Sequence, residues 1–288
     1  RKLADKRKTR LAVMTFDPHP VAVLHPEMAP ERLATALYKL HLLEKNGSDF
    51  VFLVKDRPEF LNLSPKDFIE QFLCRALKPA VVVEGDNFQF GKNRSGDIHT
   101  LTNLGAEFGF EVISVPSASV SLSSGADVKI SSTIIRNLLS KGSVADAALC
   151  LGRSYKLIGK IVPGRGKGRT LGFPTANLAL ISQLIPALGV YAATAQIAEH
   201  QQDLFNSQQR IHAAISIGTS QTFGPRNPLL VEAHLLKENI PDLTGRWIAL
   251  DFIDRIRDQK KFDSEKELAE YIAADCQKIS QILTQKVL

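Results

Sequence analysis

Residues 151–178 read LGRSYKLIGKIVPGRGKGRTLGFPTANL. Ahead of Gly152, apolar runs alternate between strand-like and helical spacing. From Tyr155 onward strand-like runs follow one another closely, so this stretch marks a domain boundary near residue 152 and a change of architecture. Tyr155–Val162 reads as a strand. Behind it, three glycines alternate with three basic residues, Gly164-Arg165-Gly166-Lys167-Gly168-Arg169, ahead of Pro174-Thr175-Ala176-Asn177. Glycine lets backbone N–H groups approach an anion, and Lys167 or Arg169 adds charge. The spacing is neither a Walker A loop nor GxGxxG. The chemistry suggests a polyphosphate, with the Thr175 hydroxyl and Asn177 amide as oxygen donors for Mg²⁺. For the loop alone, a basic hairpin turn is the plain alternative.

Upstream, residues 11–16, 49–54, 80–83 and 111–115 read as buried strands. Residues 31–46, 64–77, 98–108, 131–140 and 144–150 read as helices, with Ser64-Pro65 a start signal. Such alternation predicts a parallel sheet covered on both faces. Downstream, residues 189–197, 211–217, 230–236 and 247–253 are closely spaced strands, which predict a small antiparallel barrel or sandwich. Ser264-x-x-Glu267 is a capping box opening a last helix, whose Leu268, Tyr271, Ile272, Ile279, Ile282 and Leu283 form one apolar face.

The 288 residues are 44% apolar and 23% charged, enough for two domains with proper cores. Neither a membrane-spanning run nor a signal-peptide pattern is present. Cys74, Cys150 and Cys276 are odd in number and far apart, which fits neither a zinc spacing nor a disulfide framework and points to the cytoplasm. A net charge of +6 favours anionic partners, nucleotides or nucleic acid.

Val231-Glu232-Ala233-His234-Leu235 alternates strictly, so Glu232 and His234 share the face opposite the core. That face is either solvated or functional; in the second case Glu232 is a general base for a substrate hydroxyl. In the first half, three stretches fall where an α/β sheet presents ligands. They are Phe16-Asp17-Pro18-His19-Pro20, Gly85-Asp86-Asn87-Phe88-Gln89-Phe90-Gly91, and Ser131-Ser132-Thr133-Ile134-Ile135-Arg136 at a helix start. Singly they are turns and a helix cap; jointly they suggest a nucleotide site.

Taken in order, these motifs resemble the bacterial bifunctional riboflavin kinase/FMN adenylyltransferase (FAD synthetase) family. The likeness runs through FDPHP (16–20), GDNFQFG (85–91), ISSTIIR (130–136), residues 151–178, GVYAA (189–193), VEAHLL (231–236) and IRDQKKFDSEKEL (256–268). It implies an α/β Rossmann-like nucleotidyltransferase domain over 1–151, N-terminally incomplete. An all-β six-stranded riboflavin kinase barrel with a C-terminal helix would follow over 152–288. By the resemblance, Gly164, Gly166, Gly168 and Arg169 shape the ATP site, while Thr175 and Asn177 hold Mg²⁺ and phosphates. Glu232 is the catalytic base, and Arg257 and its successors form a flap over flavin. Asp17, His19, Asn87, Ser131, Ser132, Thr133 and Arg136 serve adenylylation of FMN to FAD. Riboflavin, FMN and ATP are the partners, without nucleic acid or membrane.

The sequence also departs from that family. No HxGH occurs in these residues, an absence expected to reflect N-terminal truncation rather than lost adenylylation. Ser220-Gln221-Thr222-Phe223 lacks the usual Pro, and Gln89 stands where Arg is common. Three alternatives remain at this point: a riboflavin kinase alone, a non-catalytic flavin binder, and a nucleic-acid-binding barrel. Against the last, the loop has no stacking aromatic before Phe173, and 36 Lys and Arg are spread among 30 acids.

Overall fold

The computed structural model describes residues 1–55, 58–164, 166–219 and 229–286. The departure at Ser220–Phe223 lies outside the described residues. Two compact units emerge: Arg1–Pro30 with Leu42–Val120 and Asp127–Ile130, and Glu31–His41 with Ser121–Ala126 and Ser131–Leu288.

In chain order the elements begin with α1 (Lys2–Arg7), β1 (Ala12–Phe16), α2 (Pro20–Leu24), α3 (Ala36–Lys45), β2 (Phe50–Val54), α4 (Pro58–Leu61) and α5 (Pro65–Phe68). A wide π-type run, Ile69–Leu77, extends α5 without a break; then come β3 (Val81–Gly85), β4 (Gln89–Phe90), β5 (Gly96–Asp97), α6 (Ile98–Phe108) and β6 (Glu111–Val115). Local chemistry sets these boundaries. The Ser64 hydroxyl accepts from Asp67 N at 3.1 Å with Pro65 in the first turn, and Asp97 Oδ1 accepts from Thr100 N at 2.8 Å to start α6. Ile69, Leu73, Phe90, Leu101 and Phe110 form the buried core, with Met14, Val82 and Val112 packed against it.

β1 pairs with β2 and β3 with β6, both parallel as the alternation predicts. The two pairs are separate two-stranded sheets, however, and Phe50, Phe52, Val83 and Val115 remain 40–51% exposed. One sheet covered on both faces is therefore not what the described residues form. Periodicity reports strand character; it carries no information on which strands share a ladder.

The chain continues through β7 (Ser119–Ser121), β8 (Asp127–Lys129), α7 (Ser132–Ser140), α8 (Val144–Leu151), β9 (Tyr155–Val162), α9 (Lys167–Thr170) and β10 (Thr175–Ala179). It ends with β11 (Gly189–Ala198), β12 (Ile211–Thr219), β13 (Leu229–Leu235), β14 (Trp247–Arg257) and α10 (Glu265–Lys286). Six of these strands close a barrel in the order β10-β13-β12-β11-β14-β9, antiparallel throughout. Tyr155, Tyr191 and Phe252 meet in the barrel core at 5.3–6.3 Å between rings, all fully buried. The buried Ala193, Ala195, Ala213 and Ala233 leave the room these rings need. Ile279 and Leu283 of α10 are completely buried against Val190, Ala192 and Ala214, as the apolar face predicts. Among the described residues no helix is long and apolar enough to cross a membrane.

Residues 31–41 strap the barrel. Leu184 N donates to Arg32 O at 2.8 Å, Gln183 Nε2 to Leu33 O at 3.3 Å, and Gln201 Nε2 to Thr35 Oγ1 at 3.4 Å. Tyr38, 5% exposed, stacks on Phe205 at 5.4 Å and lies under the Arg153 guanidinium at 5.3 Å. Beside it the buried Lys156 ammonium meets Asp251 Oδ2 at 2.7 Å and Gln196 Oε1 at 2.8 Å. Burial pushes the Lys156 pKa down, against the pull of Asp251.

Tyr38→Ala empties the ring's place over this pair and is expected to destabilise the second unit by about 3 kcal/mol. Urea unfolding followed by Trp247, the single tryptophan, reads it; a loss below about 0.5 kcal/mol would show the strap to be dispensable.

Candidate active site

Barrel closure assembles a row of polar groups on the outer face. β10 runs antiparallel to β13 with Thr175 opposite His234 and Asn177 opposite Glu232. On the other side of β13, Ser216 of β12 also lies opposite Glu232. Asn177, Glu232 and Ser216 thus stand side by side on three adjacent strands, each half-buried. Directly opposed residues lie within about 5.5 Å of each other at Cβ. His234 Nδ1 is 2.8 Å from Pro174 O, so this nitrogen carries the proton, a carbonyl being an acceptor alone. Its ring also meets the Phe173 ring edge-on at 5.5 Å. His234 thereby fixes the start of β10 and, with it, Thr175.

The glycine-rich loop folds back on this row. A Cβ at Gly164 would overlap the Asn177 amide, and one at Gly168 would overlap Phe173 O and stand 3.2 Å from Thr175 Oγ1. Close backbone approach, not flexibility alone, is what glycine supplies here. Gly166 adds a left-handed turn (φ 77°), and its carbonyl accepts from Arg169 N at 3.0 Å as α9 begins. Arg169 is exposed on this turn. A neutral hydroxyl and amide held under a backbone cradle form a donor set that fits Mg²⁺, which takes few protein oxygens and keeps phosphate and water ligands.

Arg257, at the end of β14, is held by Asp275 of α10, with Nη2 to Oδ2 at 2.8 Å and Nε to Oδ2 at 2.9 Å. It directs the chain that follows. Gln259 then turns to β12, where its Nε2 donates to Ser216 Oγ at 3.0 Å.

In the first unit, Asp17 follows β1 and its N–H donates to Val54 O at 3.2 Å. His19 caps α2, its Nδ1 accepting from Val21 N at 3.2 Å. Asn87 follows β3, its side-chain oxygen folded over Gly85. Arg94 Nε donates to Gln89 Oε1 at 2.6 Å. Phe60 and Phe72, 4.5 Å apart between ring centres, line a cavity of about 450 Å³ with Glu59, Leu63 and Gln71. Ser131, Ser132, Thr133 and Arg136 belong to the second unit: Ser131 caps α7 by accepting from Ile134 N at 3.3 Å, and Arg136 Nε donates to Glu31 O at 2.8 Å.

Of the residues singled out in the sequence, Asn177 and Glu232 stand opposite each other with Thr175 further along the same ladder; Ser216 and Gln259 beside them, and the contact of His234 with Pro174, were not read from the sequence. Ser216 lies on an outward position of an alternating strand, a faint signal. Gln259, one amide in a charged stretch, had none.

A riboflavin kinase family model matches residues 151–283, and an FAD synthetase family model matches residues 1–134. The bifunctional riboflavin kinase/FMN adenylyltransferase of Escherichia coli strain K12 is 35% identical over 94% of this chain and 82% of its own length. Its namesake from Bacillus subtilis strain 168 is 34% identical over 96% and 84%. A solved Streptococcus pneumoniae structure, described as a macrolide-efflux protein, matches with a TM-score of 0.81 and 30% identity, over 95% of this chain and 84% of that one.

Asp86, beside Asn87, gives the first unit a pH signature. The Ser117 hydroxyl, 2.7 Å away, and then the Ser117 N–H hold its carboxyl below the usual range. This contribution to stability is complete above the ordinary carboxylate range and fades as pH falls through the lowered value. Ser117→Ala should return the Asp86 titration, followed by carboxyl NMR, upward toward the ordinary range. An unmoved titration would refute the assignment.

Proposed function

The chain belongs to the bifunctional riboflavin kinase/FMN adenylyltransferase family, and from that premise we propose that the outer barrel face is its riboflavin kinase site. The family makes flavin cofactors: riboflavin is phosphorylated by ATP to FMN, and FMN is adenylylated to FAD. The observation carrying the site assignment is the cross-strand row Asn177–Glu232–Ser216 beside a glycine loop in which a Cβ would overlap the Asn177 amide at Gly164 and the Phe173 carbonyl at Gly168.

Phosphoryl transfer asks the protein mostly for alignment and charge neutralisation. Thr175 and Asn177 would hold Mg²⁺, whose charge offsets that of the phosphates. The backbone at Gly164 and Gly168 lies close to the chain carrying those oxygens, with Gly166 in a left-handed turn and Arg169 at hand for anionic charge. Glu232 stands on a rigid strand with a neighbour on either side and takes the proton of the ribityl 5′-hydroxyl as the phosphoryl group arrives. The bond from the γ-phosphorus to the β,γ-bridging oxygen breaks, a bond to the ribityl oxygen forms, and ADP leaves.

We assign kinase activity to residues 152–288 together with the strap, and adenylylation to a domain over residues 1–151. Asp17, His19 and Asn87 are its candidate nucleotide and flavin contacts in the first unit; Ser131, Ser132, Thr133 and Arg136, which the resemblance assigns to the same reaction, lie in the second unit. Three free cysteines, Cys74, Cys150 and Cys276, support a cytoplasmic location.

Incubated with riboflavin, ATP and Mg²⁺, the chain is expected to form FMN, as resolved by chromatography. Glu232→Gln should lower kcat for FMN formation at least ~10²-fold with the urea midpoint unchanged. A folded parent that forms no FMN would end the kinase reading.

A further inference from the structure

The segment after β14 is fastened on two sides. Its cations turn to α10: Arg257 to Asp275 at 2.8 Å, and Lys260 to Glu267 at 3.1 Å and to the Tyr271 hydroxyl at 3.0 Å. Phe262 adds a ring contact with Tyr271 at 5.1 Å. Between these anchors Gln259 turns the opposite way, onto the barrel. Its Nε2 donates to Ile217 O at 2.9 Å, Ser216 Oγ at 3.0 Å and Gly189 O at 3.3 Å. One NH₂ group with two hydrogens serves three acceptors, and two of those are backbone carbonyls that only a donor can satisfy.

The position of this latch follows from the ladder. Across the outer face the order is Asn177, Glu232, Ser216, so the glycine loop and Gln259 approach Glu232 from opposite sides. In-line transfer also places phosphoryl donor and acceptor on opposite sides of the moving group. With ATP on the β10 side, the body of the acceptor lies over β12, where Gln259 is seated.

We infer that Gln259 is a positioning residue for the flavin substrate: it latches residues 258–262 to β12 as a preformed wall beside Glu232. The inference rests on the kinase reading and deepens it. A preformed wall lowers the ordering cost of binding, so its loss falls on riboflavin affinity rather than on the chemical step.

Two variants of the full chain test this. Gln259→Ala deletes the donor; Gln259→Glu keeps the shape but turns a carboxylate toward two carbonyl oxygens. Both are expected to raise the KM for riboflavin about tenfold, leave the KM for ATP within about twofold and lower kcat less than about threefold. Ser216→Ala should have a smaller effect, because both carbonyl acceptors remain, and should add nothing in the Gln259→Ala background. An unchanged riboflavin KM, an equal rise for ATP, or a loss confined to kcat would each overturn the inference. Hydrogen exchange without substrates separates it from the kinase reading. In Gln259→Ala, residues 258–262 should exchange faster while α10 keeps its protection, and unaltered exchange rules out the latch even if no FMN forms.

Discussion

Closing six strands into a barrel imposes one rule on the C-terminal unit: along every strand, alternate residues must fit a narrow interior. Tyr155, Tyr191 and Phe252 fill it, and alanines opposite them make the space. Once those positions are fixed, the residues between them face outward in register with neighbours on adjacent strands. Thr175 and Asn177 therefore meet His234 and Glu232, and Glu232 meets Ser216, without any of them being needed for the core. Interior packing holds the chemistry in place.

The outer face is then divided by what covers it. α10 lies over β11 and β12 with a dry contact of Ile279 and Leu283. The strap of residues 31–41 lies over Lys156, Asp251 and Gln196, where the ion pair is tolerable because every partner is hydrogen-bonded and Tyr38 roofs it. Replacing one member alone would leave a charge buried without its counterpart. The stretch around β10, β13 and β12 carries the polar row, half-buried.

Elements set by neighbouring residues were legible in the sequence. α6 spans 98–108 as read, and Ser264 caps α10 through Glu267 N at 3.1 Å. The outward face of Glu232 followed from alternation. β10 was hidden, because Pro174 and the glycines before it mask a five-residue strand. The pairing order of β1, β2, β3 and β6 depends on contacts between distant residues, on which periodicity is silent. The same holds for the strap: the 31–46 pattern announced a helix, while the partner of Tyr38 lies at Phe205. At the site, residue type beside a glycine-rich loop pointed to Thr175 and Asn177, and strand alternation pointed to Glu232. Gln259 acts through a side chain reaching across a loop, and no local pattern encodes that reach.

The strap bears on how the protein is made. Residues 31–41 leave the ribosome long before the strand they cover, and the bonds from Gln183 to Leu33 and from Gln201 to Thr35 span 150 and 166 residues. Vectorial synthesis lets N-terminal domains fold first, yet this stretch must wait until the short 3-10 helix Gln201–Phe205 has emerged. The nascent chain thus carries an unfinished eleven-residue piece of its second unit inside the sequence of its first. A gene split at the apparent boundary near residue 152 would put the two halves of that contact on different polypeptides.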